Sequence, residues 1–79
     1  MRPSLFDFRL QRAQQTRRYS IESTEPSGWL VRFEENRSLR RDDCYHDWHR
    51  VERALALFRF EVTSLRASGW EIAPNDLSR

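Results

Sequence analysis

Residues 47–68 read DWHRVERALALFRFEVTSLRAS, and the reading of this stretch decides the fold. Trp48, Val51, Leu55, Phe58, Val62 and Leu65 recur at alternating spacings of three and four. At about 100° per residue these six fall on one stripe, the pattern of an amphipathic helix lying on a core. No Gly or Pro interrupts the run, and the Ala-Leu-Ala-Leu segment at 54–57 favours helix in its middle. Asp47 suits an N-cap, since its carboxylate can accept the free N–H groups of the first turn. At the other end Gly69 can adopt the left-handed conformation that closes a helix. Trp70 after it can fold back on Leu65, as in a Schellman ending. One long helix over about 47–68 is the prediction.

Upstream the periodicity changes from helical to alternating. From Arg18 to Thr24, Tyr19 and Ile21 point one way while Ser20 and Glu22 point the other, as in a half-buried strand. Glu25-Pro26-Ser27-Gly28 reads as a turn, with Pro setting φ and Gly tolerating the last position. Trp29 to Glu35 then forms the partner strand, with Trp29, Val31 and Phe33 on one face and Leu30, Arg32 and Glu34 on the other. Asn36-Arg37-Ser38 is a second turn. A third strand over Leu39 to Asp42 has only Leu39 as an apolar marker. Trp70 and Ile72 suit a short edge strand before Pro74.

Residues 1–16 admit two readings. Ser4 with Asp7 resembles a capping box, and Phe6, Leu10 and Ala13 would share a face of a short helix. The alternation of Phe6, Phe8 and Leu10 with Asp7 and Arg9 is extended. The expectation taken forward is a basic arm or short helix over 1–16, one α+β domain over 17–73 and a frayed end over 74–79. The fold class is α+β: an antiparallel β-hairpin or three-stranded sheet, covered on one face by the long C-terminal helix. The order of elements is similar to that of double-stranded-RNA-binding domains, whose glycine-rich strand connection and lysine-rich final helix are absent here. Gly69-Trp70 resembles the Gly-aromatic pair of WGR domains, but the Trp-Gly-Arg motif is missing. No family follows from either, and no residue role is carried over.

Seventy-nine residues make one domain, which buries only roughly 60% of its unfolded surface, too little for a deep catalytic cleft in the core. Ten aromatics supply the apolar area for compaction despite 33% charged residues. The single Cys44 cannot form an internal disulfide, and no apolar run approaches the roughly 20 residues of a membrane span. With no signal-peptide pattern at the N-terminus, a cytoplasmic protein is expected. The net charge of +2 hides an asymmetry: Arg2, Arg9, Arg12, Arg17 and Arg18 face only Asp7 in the first 18 residues. All fourteen basic residues are Arg, a bias that a GC-rich genome alone would produce.

Cys44, His46, Asp47 and His49 are the densest set of potential metal ligands, but their spacing matches no known zinc pattern. The same residues lack a glycine-rich turn for an oxyanion hole, so neither a metal, a cofactor nor an enzyme is expected. A clearer signal lies on the back of the helix. With Leu55 at zero, Leu57 and Phe60 fall near 200° and 140°, roughly opposite the stripe and beside Arg53, Ala56 and Ser64. Apolar side chains there are covered by the N-terminal arm, covered by a second chain, or exposed. The leading expectation is a non-catalytic interaction module that forms a homodimer, or docks on a protein partner, through this patch. The alternative is nucleic-acid binding by Arg9, Arg12, Arg17 and Arg18 on a mobile arm, with Tyr19 and Trp29 available to stack bases if they face outward.

Overall fold

In a computed structural model, which describes residues 4–24 and 27–73, the chain forms one antiparallel sheet with one helix across it. The elements are β1 (Ser4–Arg12), β2 (Gln15–Ser23), β3 (Trp29–Glu35), β4 (Ser38–Tyr45), α1 (Trp48–Ala67) and β5 (Glu71–Ile72). The sheet order is β4-β3-β2-β1-β5, so α1 joins one edge to the other. Four strand spacings of about 4.8 Å make a width of roughly 19 Å. Twenty helical residues reach roughly 30 Å, enough to cross that width obliquely.

The class is therefore α+β as read from the sequence, but the expected short N-terminal helix is a strand and the sheet has five strands rather than two or three. A helix over residues 4–12 would bury Phe6 and Leu10 and leave Phe8 off the shared face. The strand turns all three towards the core: Phe6 and Leu10 are buried, and Phe8 packs half-buried against them. β1 also gains a full ladder with β2 through the two-residue turn Ala13-Gln14. Ala13 is left-handed, at φ 54°, where Gly is the usual residue of such hairpin turns, so no local turn residue marks it. Arg9 and Arg12 of the expected arm consequently belong to β1, while Arg2 lies outside the described residues.

β4 was also only partly legible, because its helix-facing side is polar. The register places Arg41, Asp43 and Tyr45 on that side, opposite Phe33, Val31 and Trp29. Arg41 donates to Asp43 Oδ2 at 2.6 Å and to the Tyr45 hydroxyl at 3.1 Å, which satisfies the polar groups beside the core. The turn from β3 is Asn36-Arg37, with φ of 51° and 69°, a type I′ geometry. Asn36 also binds β2: its N–H donates to the Thr16 carbonyl oxygen, and its side-chain oxygen accepts from Thr16 N–H at 2.9 Å. Between β2 and β3, Glu25 and Pro26 of the expected turn lie outside the described residues, as do residues 74–79. Gly28 closes the loop against His46. A Cβ there would stand 3.0 Å from the imidazole, and His46 Nδ1 lies 2.6 Å from the Ser27 carbonyl oxygen.

α1 begins and ends as its sequence indicates. Asp47 accepts from His49 N–H, and Trp70 N–H donates to the Leu65 carbonyl oxygen beside Gly69 at φ 100°. Its buried line is Val51, Ala54, Phe58 and Val62, with Leu55 and Leu65 at the margins. The helix is thus rotated from the expected stripe towards Ala54, whose small side chain lets the backbone approach the sheet. Trp48 lies off that line, 40% exposed, and packs against Trp29 with ring centroids 5.2 Å apart. From the sheet, Tyr19, Ile21 and Val31 are buried as expected, while Phe33 is half-buried.

Two expectations follow. Phe58, 2% exposed and packed edge-on to Tyr19, should cost about 3–5 kcal/mol when changed to Ala, and Leu55→Ala should cost less. Urea titration of both variants measures the difference; equal losses would contradict the observed rotation of the helix. Burial, reinforced by donation to Glu61 Oε1 at 2.9 Å, pushes the Tyr19 hydroxyl from 10.0 up to about 12. Because the folded value is the higher one, this contribution to stability is complete below pH 10 and lost as pH rises through 12. Tyr19→Phe keeps the ring but has no proton to lose. Its unfolding free energy should therefore fall less than the wild type's across that window.

Candidate functional site

Two surfaces remain once the core is assigned: the outward back of α1 and the sheet face that α1 leaves open. On the helix, Phe60 is 70% exposed and Leu57 45%, with Arg53, Ala56 and Ser64 exposed around them. Phe6, Phe8 and Leu10 do not cover this patch, since they pack into the sheet side of the core. Phe60 lies nearly opposite the Phe58–Val62 line, and Leu57 flanks it one turn back.

The open face is polar, and the register arranges it in rows. Asp7, Ser20, Arg32 and Asp42 form one row across β1 to β4; Arg9, Arg18, Glu34 and Leu39 form the next. Arg18 makes a two-pronged contact with Asp7, at 3.1 and 3.0 Å, and those hydrogen bonds raise its pKa above the ordinary arginine value. Arg32 pairs with Asp42 at 3.2 Å. At the end of the second row, beside the Asn36-Arg37 turn, the surface sinks into a cleft of about 480 Å³. Its walls include Arg9, Arg17, Arg18 and Arg37 against the single acid Glu34, with Gln11 and Thr16 as neutral donors. Arg17 belongs to the other side of β2. There it stacks over Trp70 at 5.1 Å from the ring centroid and approaches Glu35 at 3.5 Å, and its buried Nε has no hydrogen-bond partner.

The structure thus gathers three of the four arginines singled out in the sequence. Arg12, exposed at the end of β1, does not line the cleft. Arg37 joins them without having been anticipated. The signal available was the pair Asn36-Arg37, an Arg standing where two-residue turns favour Gly. Tyr19 and Trp29 are not available for stacking bases, since Tyr19 is 1% exposed and Trp29 packs towards α1 on Trp48.

The Cys44, His46 and His49 cluster is dispersed. Cys44 pairs with Leu30 in the ladder on the open face, His46 is held by Ser27, and His49 projects into solvent 3.8 Å from Glu52. Among the described residues, no group of three His, Cys, Asp or Glu side chains is arranged to hold a metal. No helix among them is long and apolar enough to cross a membrane. No protein-family model, curated protein or solved structure matches the chain.

Proposed function

We propose that this protein is a small non-catalytic interaction module that self-associates through the back of α1. The observation that carries the reading is Phe60, 70% exposed beside Leu57 on the helix face turned away from the sheet. A phenyl ring held in water forfeits burial worth roughly 1.5–3 kcal/mol, which a second chain would recover. A two-fold axis would set the patch against itself, with Ala56 allowing the two helices to approach. Arg53 and Ser64 would form part of its polar rim. A non-catalytic role fits the engagement of His46 Nδ1 with Ser27, away from service as a base for Cys44. The lone thiol suits a reducing, cytoplasmic setting.

Sedimentation velocity over a concentration series tests the reading. The wild type should form dimers, and Leu57→Glu with Phe60→Glu should sediment as a monomer with an unchanged circular dichroism spectrum. A wild type that stays monomeric at every concentration removes self-association.

A second reading, nucleic-acid binding, is favoured by Arg9, Arg18 and Arg37, which line one cleft on the open sheet face. The Arg9-to-Arg18 segment then acts through strand-borne side chains rather than a mobile tail. Fluorescence anisotropy with a single-stranded oligonucleotide should give tight binding at low salt. Its log–log salt slope should be about 0.7 per phosphate contacted. A flat response to salt, or no binding in dilute buffer, removes this reading.

A further inference from the structure

The apolar patch on the back of α1 has charges along one shoulder, and their spacing indicates how two copies would meet on it. With Leu55 at zero, Phe60 stands at about 140° around the helix, while Glu52 and Arg59 stand at about 60° and 40°. All three are exposed. Glu52 and Arg59 are about two turns apart, beyond the reach of three or four positions over which an ion pair forms within one helix. Among the described residues Arg59 makes no ion pair, and Glu52 approaches only His49 Nδ1, at 3.8 Å with both side chains largely in solvent. The shoulder therefore carries an acid and a base that the chain cannot bring together by itself.

We propose that α1 pairs antiparallel with α1 of a second copy, about a two-fold axis between Leu55 and Ala56, so that Glu52 meets the partner's Arg59 and Arg59 meets the partner's Glu52. The inference rests on self-association through this helix and adds its orientation and register. In an antiparallel two-fold pair the same shoulder of each helix meets, and residues equally far from the axis on its two sides come opposite each other. The axis that joins Glu52 to Arg59 also suits the patch. It sets Ala56 beside the partner's Ala56, where small side chains let the helices approach closely. Phe60 then enters the hollow between the partner's Glu52, the partner's Arg53 and the partner's Ala56, with a guanidinium beside its ring. The axis lies near the middle of the 20-residue helix, so most of the two helices overlap. Antiparallel alignment brings each N-terminus towards the other helix's C-terminus, as the helix dipoles favour. On the other shoulder Arg50 and Glu61 are also equally far from this axis. Each already has a contact in its own chain, with the Tyr45 ring and the Tyr19 hydroxyl, so they add little. Exposed ion pairs contribute modestly to affinity, but repeated by symmetry they fix which way round the helices lie.

Charge reversal, followed by sedimentation equilibrium at low salt, tests the pairing. Glu52→Arg and Arg59→Glu should each weaken self-association about tenfold, because each turns two symmetry-related attractions into repulsions. An equimolar mixture of the two variants should form a heterodimer with close to wild-type affinity, since every such contact in it again joins opposite charges. The chain carrying both reversals should self-associate equally well. Glu52→Gln and Arg59→Gln, which remove a charge without reversing it, should each weaken association by a smaller factor. Both positions are exposed, so circular dichroism should show the fold unchanged in every variant. Single reversals that weaken the dimer, with rescue in the mixture and in the double reversal, uphold the antiparallel register. A dimer that neither reversal weakens, or a loss that the mixture and the double reversal leave unrescued, overturns that register and leaves self-association standing. A wild type that is monomeric at every concentration overturns both.

Discussion

Phe58 meets the ring of Tyr19 edge-on, with centroids 5.0 Å apart, and the two layers are registered through that contact. Tyr19 sits on β2, the middle strand of five, and stacks on Phe33 of β3 at 4.9 Å. Phe58 reaches Phe6 of β1 at 6.1 Å, and Arg41 of β4 approaches its other side at 5.9 Å. One helical side chain therefore touches three strands directly and the fourth through Tyr19. The Tyr19 hydroxyl fixes the helix along its axis as well, through Glu61 one turn beyond Phe58. A domain this small has few such contacts, so each carries a large share of a stability that for most domains is only about 5–15 kcal/mol.

The sheet depends on its turns in a different way. Ala13, Asn36 and Arg37 all lie at positive φ, and only Asn36 is of a type that enters that region readily. The ladders of β1 with β2 and β3 with β4 hold the other two in place. Asn36 contributes beyond its own turn, since its side chain accepts from Thr16 and links the second hairpin to the first.

The molecule divides its outer surface between two chemistries. The helix back is apolar at Phe60 and Leu57, and the open sheet face carries the Arg18–Asp7 and Arg32–Asp42 ion pairs. The two faces lie on opposite sides of the layer. A dimer formed through α1 would leave both clefts open, so the two proposed activities are compatible in one assembly.

The sequence by itself determined α1, its Asp47 cap, its Gly69-Trp70 ending, and the β2–β3 pair, because each is written in local periodicity or in residues with special backbone preferences. It also indicated that Leu57 and Phe60 face away from the core, since that follows from helical geometry alone. Only the tertiary structure decided that residues 4–12 are a strand: Phe6 and Leu10 satisfy both periods, and the partner β2 with its Ala13-Gln14 turn settles the choice. The same holds for β4, whose inward side is polar and is stabilised by hydrogen bonds rather than by apolar pattern. The cleft was beyond local reading for the same reason. Arg9, Arg18 and Arg37 are remote along the chain, and a sheet register, which is a long-range property, brings them to one place.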